Sequence, residues 1–308
     1  MKILDVGPGQ IGNELALQAH GRGHTTSFFG RNDPKNTFRQ RAEESDVVAI
    51  TIPSEGGGDD EVFYALESLA AGKPVAIAAK CANAYQSEKI KPHLSQMGIT
   101  TTAGGPSGML NLILTPQLGL RKIVTIPNGT LCFMFSRTAE GVPWEQALEE
   151  ATKEGLTEGG SGLEEVFRGE TWDTILKTSG IGNLAGIFRE PLIPDEFSTS
   201  ILSKTEILRL LGAKKFRFIV RMVKQPRSKT YSCFPGFYVR KEGWDIIGEF
   251  AEPDQSEFLG NVPCGKQNTL ITWNYAGRNQ ITGDGAGIKA TASTLLGELE
   301  WLHANRKN

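Results

Sequence analysis

The sequence is poor in the features that mark several large classes of protein. Its four cysteines (Cys81, Cys132, Cys233 and Cys264) are widely spread over 308 residues, with no C-x-x-C and no paired histidine. That argues against a zinc site or a disulfide framework and leads us to expect no bound metal and a reducing compartment. No stretch holds the roughly 18 consecutive apolar residues of a membrane span. The opening MKILDVGPGQIG has no long apolar region followed by a small-residue cleavage site, so a cytoplasmic location is expected. An excess of one charge is also missing. With 33 Lys and Arg against 35 Asp and Glu, the formal net charge is -2, which gives no electrostatic reason to expect a nucleic-acid partner. There is no internal repeat and no low-complexity linker, so closely packed domains are expected.

What is present is an ordered alternation. In the first ~125 residues, short apolar runs (KILDV, TTSFF, VVAITI, PVAIAA, ITTTA) are separated by helix-like segments. This rhythm predicts βαβ units and a parallel sheet of the Rossmann type. The pattern then changes. A helical region over 143–190 and another patch near 202–211 precede β-rich runs such as KFRFIVRMV, YSCFPGFYV and NTLITWNYA. The fold class is thus α/β, a Rossmann-type parallel sheet plus an α+β domain. The expected division is 1–125, with 285–308 packing back onto it, and 126–284.

G-P-G-Q-I-G places Gly7, Gly9 and Gly12 in a G-x-G-x-x-G array between a strand, ILDV, and a helix, IGNELALQA. In that context the glycines make the tight turn, the close approach to a pyrophosphate and the close packing of helix on strand. Gln10 and Ile11 open the helix whose N-terminus faces the anion. The second strand ends in G-R-N, with Arg31 about two dozen residues after Gly7 and Asp33 two further on. An arginine there accommodates a 2′-phosphate, so NADP is favoured over NAD. Ser54, just past VVAITIPS, is expected on the nicotinamide-ribose side.

T-W-D-T-I-L-K, residues 171–177, is read as helix, and Asp173 and Lys177 share one face of it at i,i+4. Spacing alone does not separate a surface ion pair from an acid/base pair. On a helical wheel the two lie on the flank of an apolar arc of Trp172, Ile175 and Leu176.

Several segments resemble homoserine dehydrogenases, in that family's order. VAIAAK at 75–80 is similar to its VVTANK strand, TTAGGPSG at 101–108 to its glycine turn, and IPNGT at 126–130 to its NGT turn. ATKEGLTE at 151–158 and DTILK at 173–177 resemble its A-x-x-x-G-(Y/F)-x-E and D-x-x-x-K. FLGNVPCGKQNTLITW and GDGAGIKATAS are similar to its later P-L-A-x-V-x-G-x-x-N-A-V and G-x-G-A-G-x-x-T-A segments. The resemblance implies NADP-dependent hydride transfer between aspartate 4-semialdehyde and L-homoserine, in threonine and methionine biosynthesis, without a C-terminal regulatory domain. It implies Asp173 and Lys177 as the catalytic pair and Lys80 as the second active-site lysine. Glu158 would hold the substrate amine, and Asn128 and Thr130 would line the substrate turn. Gly285 and Gly287 would lie near the cofactor. It also implies a homodimer built through the second sheet.

Three positions depart from the family. Ala79 replaces the strand's asparagine. Thr100 stands where the family commonly has a glutamate of a monovalent-cation site, so cation use is open. Arg168 stands five before Asp173, where the family has an acidic residue of the amine site, with Glu164, Glu165 or Glu170 as substitutes. Two other readings stay open: a reductase of a different small aldehyde or keto acid, and a non-catalytic NADP-binding sensor.

Overall fold

A computed structural model describes residues 1–115, 119–157, 162–212, 216–224, 236–252, 259, 267–285 and 287–306. The chain begins with β1 (Lys2–Val6), α1 (Gln10–Gly21), β2 (Thr25–Phe29), α2 (Phe38–Glu43), β3 (Val47–Ile50), α3 (Asp59–Ala70) and β4 (Val75–Ile77). Two short helices, α4 (Cys81–Tyr85) and α5 (Ser87–Ile90), lead to the two-residue β5 (Met97–Gly98). These strands form a parallel sheet in the order β2-β1-β3-β4-β5. The order reverses between β1 and β3, so the crevice at their carboxyl ends is where such sheets take ligands.

Both faces of this sheet are buried, which is why its strands read as continuous apolar runs. Val48 and Ile50 pack with Phe29, Phe38, Val62 and Tyr64 on one side. Ile3, Val47, Ala49 and Ala76 pack on the other, under Leu15 and Ala19 of α1. The rest of that cover comes from Leu295, Leu296 and Leu299, residues late in the chain.

The expected fifth strand, ITTTA, is not a strand. Residues 100–102 form a 3₁₀ turn, and β5 lies just before them. The threonine hydroxyls explain this. Thr101 Oγ1 donates to the Ile77 carbonyl at 2.6 Å and Thr102 Oγ1 to the Ile99 carbonyl at 2.7 Å. Such side-chain bonds offer the backbone an alternative to a sheet ladder.

The chain continues through α6 (Met109–Leu114), β6 (Lys122–Ile126), α7 (Gly129–Ala139), α8 (Trp144–Lys153) and α9 (Leu163–Leu184). Then come β7 (Ser198–Thr199), α10 (Lys204–Gly212), β8 (Arg217–Lys224), β9 (Gly236–Lys241), β10 (Trp244–Ala251), β11 (Gln267–Asn274), β12 (Gly277–Asp284) and α11 (Ile288–Ala304). The second sheet is antiparallel, in the order β12-β11-β6-β8-β10-β9-β7. β6 therefore belongs to this sheet, and the expected boundary at 125/126 cuts through it. Phe218, Val220, Met222 and Ile246 face the helices, packing with Met134, Phe135, Phe167 and Ile175. α11 carries Leu295, Leu296 and Leu299 back onto the first sheet.

Candidate active site

The glycine loop and the turn after β3 open onto a cleft of about 850 Å³. Gly7 has φ +124°, and a Cβ there would lie 2.8 Å from the Ile52 nitrogen. A Cβ on Gly12 would stand 2.4 Å from both Asp5 Oδ2 and the Gly7 carbonyl oxygen. These two positions accept nothing larger than glycine. Gly9 caps α1 without a side chain. The first-turn amides of α1, on Gln10, Ile11 and Gly12, have no acceptor within the helix. They therefore give the mouth of the cleft an anion-binding end. Thr51 Oγ1 lies 2.7 Å from the Gly7 carbonyl oxygen and 2.9 Å from Asp5 Oδ1, which ties the loop to β1.

Past β2, Arg31 lines the cleft as expected from its sequence position, and Lys35 lines it too. Lys35 pairs with Asp60 and lies over the Phe63 and Tyr64 rings. Asp33, the only acidic residue near the tip of β2, accepts from the Gly30 amide at 2.6 Å. Lys35 was not foreseen; its signal was a second cation four residues after Arg31.

Lys80 ends the β4 segment and caps α4. Its amide donates to Ser54 Oγ at 2.9 Å, so Ser54 lines the cleft and also fixes the Lys80 backbone. Glu61, buried in α3, accepts from the Ala82 amide at the start of α4. Burial pushes the Glu61 carboxyl up to about 7 against the lowering effect of the Ala82 and Cys81 amides. At the other end of α4, Asn183 of α9 donates to the Asn83 and Ala84 carbonyls at 3.3 and 3.1 Å. Lys80 thus rides on a helix held from both sides.

α9 supplies the opposing groups. Asp173 is 4% exposed and takes two ammonium groups, Lys177 Nζ at 2.7 Å on Oδ2 and Lys80 Nζ at 3.0 Å on Oδ1. The pair lies on the cavity wall and is buried, because α4 packs against that side of α9. Burial alone would raise the Asp173 carboxyl. Lys177 and then Lys80 outweigh it and hold the group below the usual carboxylate range.

Asn128 does not line a cavity. It lies behind the wall, its Oδ1 accepting from the Leu131 amide at 2.8 Å. Its Nδ2 donates to Glu170 Oε2 at 2.8 Å and Asp173 Oδ2 at 3.1 Å. Thr130 Oγ1 donates to the Leu156 carbonyl at 2.6 Å, in the cavity wall. Glu170 lies one turn before Asp173 on the same face and is 1% exposed. Arg168 faces away, in a separate apolar groove with Trp172 and Ile201. So the acidic group beside Asp173 is Glu170, one of the three candidates, and Arg168 is outside the site. Glu158 lies outside the described residues, as does most of FLGNVPCGK. Thr100 donates its amide and hydroxyl to Glu298 Oε1, both at 2.8 Å.

Lys80, Thr130, Glu170, Asp173, Lys177, Gly285 and Gly287 together line a cavity of about 110 Å³. Ile11, Ala78 and Lys80 line both this cavity and the larger cleft, so the two spaces adjoin. Gly285 fits because a Cβ there would meet the Asn268 side chain at 2.1 Å. Gly287, at φ +109°, caps α11. The arrangement places a buried carboxylate with two ammonium groups at the end of an anion-binding cleft, which suits proton transfer beside a bound dinucleotide.

The fold is similar to solved homoserine dehydrogenases. One from Thermoplasma acidophilum has 13% identity and a TM-score of 0.66, with 98% of each chain covered. One from Thiobacillus denitrificans has 17% identity and a TM-score of 0.68, covering 99% of this chain and 74% of that one. One from S. aureus, at pH 8.5, has 17% identity and a TM-score of 0.65, covering 98% and 76%. At these identities the likeness concerns the fold. No curated protein matches the chain significantly in sequence. The family model described as homoserine dehydrogenase matches residues 108–299, more than half of the chain and the part that carries Asp173 and Lys177. The chain therefore belongs to the homoserine dehydrogenase family, whose members are NAD(P)-dependent oxidoreductases acting on a CH–OH group.

Proposed function

We propose that this chain is an NADP-dependent homoserine dehydrogenase, interconverting aspartate 4-semialdehyde and L-homoserine in threonine and methionine biosynthesis. One observation carries the reading. Asp173 is buried between Lys80 and Lys177, at 3.0 and 2.7 Å, in the small cavity that adjoins the cleft of the glycine loop.

A bound nicotinamide dinucleotide would supply or take the hydride at the substrate carbon. Gly7, Gly9, Gln10, Ile11 and Gly12 would hold its pyrophosphate, with Ser54, Gly285 and Gly287 beside its nicotinamide half. Lys177 delivers a proton to the carbonyl oxygen in the reducing direction and takes it from the hydroxyl in the other. Asp173 keeps that lysine oriented, and Lys80 holds the second oxygen of Asp173. Glu170, with Glu158, binds the substrate amine. Asn128 is a positioning residue for Glu170 and Asp173.

NADP is favoured by Arg31 and Lys35 at the far end of the cleft and by Asp33, whose carboxylate is turned to the Gly30 amide. A homodimer built through the second sheet is part of this reading, and the partly exposed Arg221, Glu249 and Arg240 on its strands are the polar groups such a contact would meet. The first sheet with α11 is read as the dinucleotide-binding domain and the middle of the chain as the substrate and dimer domain. No helix among the described residues is long and apolar enough to cross a membrane, in keeping with a cytoplasmic enzyme.

The test is oxidation of L-homoserine by the full chain with NADP and with NAD, for the wild type and Lys177→Ala. Activity with NADP preferred, and a loss of at least about 100-fold in kcat on substitution, is expected. A wild type that ignores homoserine but reduces another small aldehyde would overturn the substrate. Full activity in the variant would overturn the role of Lys177.

A further inference from the structure

Beneath the glycine loop lies a buried acid that the reaction does not use. Asp5 sits in the middle of β1, wholly inaccessible to solvent, among Ile3, Val47 and Ala49. Its Oδ2 is buried without a hydrogen-bond partner and lies where a Cβ on Gly12, at the start of α1, would come within 2.4 Å of it. Its Oδ1 is 2.9 Å from Thr51 Oγ1, and the same hydroxyl is 2.7 Å from the Gly7 carbonyl oxygen. A hydroxyl carries one proton. The Gly7 carbonyl can only accept, so the shorter bond claims the Thr51 proton. The contact between Thr51 and Asp5 then needs a proton from Asp5.

We propose that Asp5 is a positioning residue for dinucleotide binding that works as a neutral acid, donating to Thr51 Oγ1 while Thr51 donates to the Gly7 carbonyl. The proposal rests on the reading of the cleft as a dinucleotide site. The chain of two bonds, together with the Gly9 amide that donates to the same oxygen at 2.7 Å, holds the Gly7 carbonyl inward and leaves the first-turn amides of α1 to face the cleft. If Asp5 ionises, the chain is one proton short, and a negative charge sits directly behind the anion-binding end of α1.

The surroundings agree. β2 and β3 carry no ionisable side chain. Those of α1 (Glu14, His20) and α11 (Lys289, Glu298, Glu300, His303) do not act on its acidity. Burial raises the carboxyl to about 7, opposed only by Thr51.

The experiment is NADPH binding, followed by its fluorescence, at pH 6 and pH 8.5. The wild type, Asp5→Asn and Thr51→Val are compared as full chains. The asparagine amide keeps a donor for Thr51 and cannot ionise. Its complex should therefore change with pH only as the 2′-phosphate titrates, an effect common to all three proteins. The wild type should weaken at least fivefold more than Asp5→Asn between the two pH values. Thr51→Val should bind several-fold more weakly than the wild type already at pH 6. Parallel pH profiles for wild type and Asp5→Asn overturn the proposal, and so does Thr51→Val binding like wild type at pH 6, a readout that remains if the Asp5 variant fails to fold. A wild type that binds neither NADPH nor NADH overturns the reading of the cleft itself.

Discussion

The charge of Asp173 is shared by two lysines, and its neighbour Glu170, on the wall of the same cavity, is read as the group that meets the cationic substrate amine. Glu170→Gln keeps the Asn128 contact and removes the charge. We expect KM for homoserine to rise by about 10- to 100-fold, since a hydrogen bond to a charged group contributes roughly 1.5–3 kcal/mol. Arg168→Ala should leave KM unchanged. A KM effect in the arginine variant alone would place the amine site elsewhere. The spacing of Asp173 and Lys177 was legible in the sequence because i,i+4 geometry is local. Their burial was not. It depends on Lys80 and α4, about ninety residues earlier, and no helical wheel contains them. Asn128 reads as part of a substrate turn, yet its side chain is used up on Leu131, Glu170 and Asp173.

Among the elements, α1 and α9 were legible and α7 was not. The helix GTLCFMFSRTA is buried from Gly129 to Ser136, so its apolar residues fall on every side and leave no 3.6-residue stripe to read. α11 shows another effect invisible in sequence. Its Glu298 reaches Thr100 with one oxygen, while the other is buried without a hydrogen-bond partner. Burial pushes this carboxyl up to about 7, more than the Thr100 bonds lower it. The folded protein therefore keeps a proton that the unfolded chain releases near its ordinary value of 4.5. Stability should fall as pH rises from about 4.5 to about 7 and then level, by roughly 3 kcal/mol for this group. Urea unfolding across that range should show a shallower fall for Glu298→Gln than for the wild type. Equal slopes would mean that Glu298 is ionised in the fold.

In the whole molecule, much rests on one long return of the chain. α11 follows the second sheet in sequence yet packs on the first. Leu295, Leu296 and Leu299 join Ile3, Val47, Ala49 and Ala76 there, and each fully buried leucine contributes roughly 1.5–3 kcal/mol. A chain ending before Ile288 should lose cooperative unfolding of the first sheet, read by circular dichroism, together with NADPH binding. A truncated chain that still binds NADPH and unfolds in one step would show that α1 suffices as cover.

The same arrangement sets a timetable for synthesis on the ribosome. β5, the last strand of the first sheet, ends at Gly98 and leaves the exit tunnel about 190 residues (288 − 98) ahead of α11. At about 5–20 residues per second, the face that α11 will cover waits on the order of 10–40 s with α1 as its only cover. During that interval the nascent first sheet presents a greasy, half-roofed surface of the kind that holdase chaperones grip.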